Sequence, residues 1–169
     1  KSIRVLLLLL LLSSASPAAA AVLEGRPDDY RSQLARLAPG DTLQLTAGVY
    51  LERLPIIGKH GDVANRIVVR GPDEGTATFV GVRGQNTVDL RDSSFIAVEN
   101  ITVDCAGLPV DGVNAKGDAP VHDVLIENVR VLNAGANQQI VGINTKCPCW
   151  NWTIRGCEIE GAGTGMYLG

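Results

Sequence analysis

The segment Ser94–Gly107, SFIAVENITVDCAG, recurs without gaps as His122–Gly135, HDVLIENVRVLNAG, and again as Trp150–Gly163, WNWTIRGCEIEGAG. The starts lie 28 residues apart each time. A fixed period of this length is the signature of a repeat architecture. Alternation assigns the faces, because side chains two apart on a strand share a face. Ile96, Val98, Ile101 and Val103 stack over Val124, Ile126, Val129 and Val131, and these over Trp152, Ile154, Cys157 and Ile159. Between the two apolar pairs stand Asn100, Asn128 and Gly156, residue types that tolerate a left-handed backbone, so this column reads as a corner. A second corner is expected at Ala106-Gly107, Ala134-Gly135 and Ala162-Gly163. A third short strand fits ahead of each segment: Val88-Asp-Leu90, Val113-Asn-Ala115, Ile143-Asn-Thr145 and Met166-Tyr-Leu168. Three strands and three turns make one coil of a solenoid, which buries its inner side chains against the coils above and below.

Working outward, Arg66–Gly71 (RIVVRG) and Ala77–Val80 (ATFV) read as an earlier, less regular coil. Before it, Tyr30, Leu34 and Leu37 recur at i, i+4 and i+7 after Asp28-Asp29, and Pro39-Gly40 ends the pattern. That spacing predicts a short amphipathic helix of about ten residues over 28–38. Its role would be to cover the open end of the solenoid. Residues 1–21 carry Lys1 and Arg4, an apolar run from Val5 to Leu12, and the small residues Ala19-Ala20-Ala21. This is the layout of a cleaved export signal, and its apolar run is too short to span a bilayer. The organisation is therefore a signal at 1–21, a linker and capping helix at 22–40, and coils from 41 to 169. A first residue that is not Met, and a new coil opening at Gly161–Gly169, suggest a piece of a longer protein.

Composition agrees. The hydrophobic share of 46% and the net charge of −3 exclude a disordered chain and offer no basic footprint for nucleic acid. Losing Lys1 and Arg4 with the signal takes the charge from −3 to −5. The 19 glycines suit a chain of many corners. Export places Cys105, Cys147, Cys149 and Cys157 where disulfides are permitted, with three pairings open. Cys147-Pro148-Cys149 lacks the spacing of a zinc knuckle.

The chain resembles the pectate-lyase-like right-handed parallel β-helix proteins of exported bacterial type. The resemblance spans essentially 28–169. It rests on the repeats, on Pro39–Tyr50 (PGDTLQLTAGVY), which looks like the turn from capping helix into first coil, and on Ile67–Gly71 (IVVRG), which looks like the second coil. It implies an all-β, right-handed parallel β-helix with an N-terminal capping helix, the hand also following the rule for parallel crossovers. Location would be secreted or periplasmic, with no membrane span after signal cleavage, and the state monomeric. Fold alone names no activity, since such proteins include lyases, hydrolases, epimerases and adhesins.

Aligning the third strands gives two outward columns: Asp89, Asn114, Asn144 and Tyr167, and Arg91, Lys116 and Lys146. Like charges stacked ~5 Å apart repel, and an anion lying across them would relieve that. An acidic, uronate-containing polysaccharide is the obvious partner. Elimination needs a cation to neutralise the uronate carboxylate and a base for the C5 proton. The resemblance implies a Lys or Arg base, commonly with Ca²⁺ bridging carboxylates. Lys116 or Lys146 is then the base, Arg91 the neutraliser, and Asn114, Asn144 and Tyr167 substrate contacts. Asp89 and Asp111 are the two carboxylates available to a hard cation such as Ca²⁺.

The same cations also read as an ordinary solvated face with their stems on apolar surface. Trp152 belongs inside, Trp150 sits at a turn, and His122 reads as a structural or solvated turn residue. Gln138-Gln139 precedes a strand and would line a cleft. Asn100-Ile-Thr102 and Asn151-Trp-Thr153 match glycosylation sequons, read here as coincidence. Two functions stay open: a polysaccharide lyase, or a non-catalytic glycan-binding or cell-envelope β-helix.

Overall fold

The structure is a computed structural model that describes residues 19–135 and 137–169. Most of the expected export signal therefore lies outside the described residues. Strand β1 (Val22–Gly25) and helix α1 (Tyr30–Arg36) precede five coils. The first holds β2 (Thr42–Leu45), β3 (Gly48–Tyr50) and β4 (Leu54–Pro55). The second holds β5 (Ile67–Arg70), β6 (Ala77–Val80) and β7 (Val88–Asp89), the third β8 (Ser94–Glu99), β9 (Ile101–Asp104) and β10 (Val113–Lys116). The fourth holds β11 (Val121–Glu127), β12 (Arg130–Gly135) and β13 (Val141–Lys146). The fifth holds β14 (Cys149–Trp150), β15 (Thr153–Arg155), β16 (Glu158–Ala162) and β17 (Thr164–Leu168).

Corresponding strands of successive coils pair in parallel, giving three sheets. The first runs β1-β2-β5-β8-β11-β14 with β15 also on β11, the second β3-β6-β9-β12-β16, and the third β4-β7-β10-β13-β17. This is the parallel β-helix expected from the repeat. Its register is the one the aligned segments demand. Ile96 faces Val124, Val98 faces Ile126 and then Ile154, Val103 faces Val131 and then Ile159, and Val88 faces Val113, Ile143 and Met166 in turn. From Leu43 to Ile143 the inward aliphatic columns are wholly buried. No described helix is long and apolar enough to cross a membrane.

The first corner column stands where expected, with φ of 55° at Asn100, 52° at Asn128 and 61° at Gly156. Asn128 Nδ2 donates to Asn100 Oδ1 at 3.2 Å, so the amides form a short ladder. A Cβ at Gly156 would collide with Asn128 Oδ1, which explains the glycine at the ladder's end. The second corner departs from expectation. It is left-handed at Ala106 and Gly107, but at Asn133 and Gly135 in the next coil and at Gly161 in the last. The register slips between Leu132 and Gly135, so Gly135 faces Ala162 rather than Gly163. A bulge of this kind displaces the bend without altering the strands before it. A further corner, not foreseen, sits inside β8 and β11 at Phe95 and Asp123 and between β14 and β15 at Asn151, each with φ near 55°.

Helix α1 caps the stack as predicted, though it is shorter. It starts after Asp29, whose carboxylate accepts from Arg26 N at 2.7 Å, and ends at Leu37, where ψ of 129° leaves the helical region ahead of Pro39. Tyr30 drops into the open end of the core. Its ring lies edge-on to Tyr50 at 5.2 Å and to Phe79 at 5.4 Å, and these two stack at 4.5 Å. Lys59 Nζ donates to Ala35 O at 2.8 Å and Leu37 O at 3.2 Å, closing the carbonyl end of the helix. Strand β1 was not legible beforehand. It pairs Val22 with Thr42 through Gly25 with Leu45, yet four residues with one partly buried side chain show no alternation.

Candidate functional site on the third sheet

The outer face of the third sheet holds both columns read from the repeats. Asp89 faces Asn114, Asn114 faces Asn144, and Asn144 faces Tyr167, all in direct register. Lys116 faces Lys146 across the same pair of strands. Arg91 lies just past β7, and its stem runs beside Gly117 of the coil above.

The column differs from expectation in burial. Asp89 is 3% exposed and Asn114 and Asn144 are 0% exposed, although all three point away from the aliphatic core. Neighbouring side chains close over the two ends of that row. Asp89 Oδ2 takes Arg53 Nη1 at 2.9 Å and Arg91 Nη2 at 2.9 Å, with Arg91 Nε at 3.0 Å from Oδ1. One coil up, Asp111 reaches across to the next coil. It accepts from Val141 N at 2.9 Å, Asn144 Nδ2 at 2.8 Å and Lys146 Nζ at 3.3 Å. Between the two carboxylates, neither amide atom of Asn114 has a hydrogen-bond partner among the described residues, nor does Asn144 Oδ1. An unpaired buried amide costs about 1–3 kcal/mol.

The predicted residues therefore separate. Arg91 and Lys146 are each held by a buried carboxylate, whereas exposed Lys116 has no ion pair among the described residues. Tyr167 is 53% exposed and lines a cleft of about 350 Å³ with Lys146, Gln138, Gln139, Val141 and Thr164. The glutamine pair thus does flank a cleft, and it is the one holding Lys146 and Tyr167. Asp89 and Asp111 do not offer a hard-cation site, because cationic side chains already occupy both. No group of three or more His, Cys, Asp or Glu converges among the described residues. The donor set does not fit a resident Ca²⁺. Arg53, and Asp111 as the group that organises the next coil, escaped sequence reasoning. Each contact joins a residue outside the strands of one coil to a strand residue of the next, Arg53 to Asp89 and Asp111 to Asn144 and Lys146, so no column predicted them.

Around the corner from Lys116 and Lys146, His122 and Trp150 stack face to face at 4.3 Å, with Phe95 edge-on to the imidazole at 5.7 Å. His122 Nδ1 lies 2.7 Å from Asp123 Oδ2, which makes it a structural partner of that carboxylate. Trp150 is exposed. Trp152 packs against the core and donates its Nε1–H to Val121 O at 3.0 Å, as an inward indole requires. On the first sheet an ion-pair ladder was missed: Arg70 holds Glu99 at 2.7 Å and Arg155 holds Glu127 at 2.8 Å.

Three surface carboxyls sit below their usual range. Hydrogen bonds from Arg155 depress Glu127, those from His122 depress Asp123, and those from Asn65 and Ala64 N depress Asp62. A depressed carboxyl lends stability that is complete above its unfolded pKa, about 4. That stability disappears as pH falls through the folded value. The urea midpoint is expected to stay flat from neutrality to about pH 5 and to fall below about pH 4, with Glu127→Gln making the decline shallower. A midpoint that rises on acidification would contradict this.

No protein-family model matches the chain, and no curated protein matches it in sequence. Among solved structures it is similar to the GH136 lacto-N-biosidase from Eubacterium ramulus. The native form gives a TM-score of 0.64 at 12% identity, over 88% of this chain and 36% of that one. Its selenomethionine derivative gives 0.63 at 14% identity, over 84% and 34%. An alginate lyase from Paenibacillus sp. str. FPU-7 aligns at a TM-score of 0.46 and 14% identity, over 86% of this chain and 68% of that one. The chain spans about a third of the length of the lacto-N-biosidase. The likeness to that enzyme is one of fold.

Proposed function

We propose that this is an exported, carbohydrate-active β-helix protein of pectate-lyase-like type that acts on an acidic, uronate-containing polysaccharide by β-elimination. One observation carries the reading. Lys116 and Lys146 stand in register on adjacent strands, with Arg91 beneath them and the Tyr167 cleft alongside. A row of cations on a protein of net charge −3 is a local field suited to a polyanion. The lacto-N-biosidase lends background support, as a glycan-acting enzyme built on a similar coil stack.

In this reading the uronate carboxylate rests against Arg91 and Lys146, which their carboxylate partners hold in place. Tyr167 offers its ring to a sugar face. Lys116, free of any carboxylate among the described residues, acts in its neutral amine form and takes the C5 proton onto the nitrogen lone pair. The electron pair of that C–H bond forms the C4–C5 double bond, the C4–O bond breaks, and the departing oxygen is protonated from solvent. Neutralising the carboxylate is what makes the C5 proton removable, so the cations supply the electrostatic part of catalysis.

The test is incubation with alginate, pectate and glycosaminoglycans while following absorbance of the unsaturated uronate product. Product from at least one polymer is expected. Binding of an acidic polymer without product would place the protein in the alternative class, a non-catalytic glycan-binding or cell-envelope β-helix. Neither binding nor product would remove the reading altogether.

A further inference from the structure

We infer that Cys147 and Cys149 form a dithiol–disulfide pair that closes and opens the corner between β13 and β14. Their Sγ atoms lie 3.3 Å apart, and no other two thiols touch among the described residues. The contact follows from the local chain. The two residues flank Pro148 at the bend between the strands, and both sulfurs pack against the edge of the core. Pro148 between them has a fixed φ, and its carbonyl accepts from Val121 N at 3.0 Å, so the turn is held in the shape that presents the sulfurs to each other. A bond would bring the sulfurs from this contact to ~2.05 Å. The remaining thiols are placed otherwise. Cys105 is fully buried against Thr87 Oγ1, and Cys157 Sγ faces the carbonyls of Ile126 and Arg155.

The corner has neighbours of consequence. Lys146 directly precedes Cys147, and Trp150, stacked on His122, directly follows Cys149. Closing the bond ties the end of the third-sheet strand to the start of the first-sheet strand at that point. The oxidant is a low-molecular-weight disulfide such as oxidised glutathione. Burial raises the Cys147 thiol, which suits it to the second, resolving attack. The Cys149 thiolate bonds to one glutathione sulfur and expels the other as thiolate. Cys147 then loses its proton and attacks the Cys149 sulfur, expelling the second glutathione thiolate. The protein loses two hydrogens, and one glutathione disulfide becomes two glutathiones.

The experiment treats the native chain with oxidised glutathione, quenches with an alkylating agent and reads intact mass and peptide masses. Expected is a loss of about 2 Da, with Cys147 and Cys149 unalkylated on one peptide and fully restored by dithiothreitol. In Cys147→Ser, a stable glutathione adduct on Cys149 is expected instead. Persistent alkylation of both residues, a lasting glutathione adduct in the unsubstituted chain, or a bond mapped to Cys105 or Cys157 would each overturn the inference. The unsubstituted chain alone decides it if the variant fails to fold.

Discussion

Replacing Tyr30 with alanine is expected to lower stability by about 3–5 kcal/mol, the range for deleting a buried aromatic ring. Tyr30 is 2% exposed, and its ring closes the bottom of the stack against Tyr50 and Phe79. Alanine leaves a cavity bounded by two rings that are themselves stacked at 4.5 Å. It also removes the hydroxyl whose single proton is shared between Arg53 O at 2.7 Å and Glu52 O at 3.0 Å. Tyr30→Phe separates the two effects. It keeps the ring and loses only the hydroxyl, at a cost of about 1 kcal/mol. Urea unfolding checks both, with the midpoint shifted and the slope retained. A Tyr30→Ala loss below about 1 kcal/mol would mean that α1 merely lies against the coils and does not seal them.

The largest expected effect on activity is that of Lys116→Ala. Removing a general base lowers rate by about 10²–10⁴-fold. Lys116 is exposed and makes no ion pair among the described residues, so its removal should leave the unfolding midpoint unchanged. Lys146→Ala should behave differently. It strips a cation from Asp111, which is 7% exposed but keeps two hydrogen bonds, from Val141 N and Asn144 Nδ2. The Lys146 side chain is partly solvated, so the loss in stability should stay within about 1 kcal/mol. Its effect on activity should appear in both KM and kcat, because a group holding the uronate carboxylate binds the ground state and also stabilises the charge that develops as the C5 proton leaves. Equal activity in Lys116→Ala and the unsubstituted protein would remove Lys116 from the chemistry.

Most of the fold was legible because stacking imposes equality between coils. Aligning Ile96, Val124 and Trp152 set the columns of the first two sheets, and the third-sheet strands, matched one by one across unequal spacings, put Lys116 and Lys146 in register. Features escaped where coils are unequal. The bulge at Leu132 moved the second corner by a residue or two, and alternation before the bulge contains no sign of it. The corner at Phe95, Asp123 and Asn151 was hidden because two of its members lie within continuous strands. At the site, the columns were visible but their covering was not. Asp89 and Asp111 read as ligands for a hard cation, whereas Arg53, Arg91 and Lys146 already satisfy them. A coil's turn decides which side chain folds over its neighbour's face, and turn length was the quantity the repeat left unspecified.

The most direct test of the cationic face is calorimetric titration with a uronate oligosaccharide and with a neutral oligosaccharide of equal length. Both are run at low and at raised salt, on the unsubstituted protein and on Lys116→Ala/Lys146→Ala. The account predicts binding of the acidic oligomer alone, weakened by salt because exposed charges are screened, and lost in the double variant. Equal affinity for the neutral oligomer, or unchanged affinity after both lysines are removed, would contradict it.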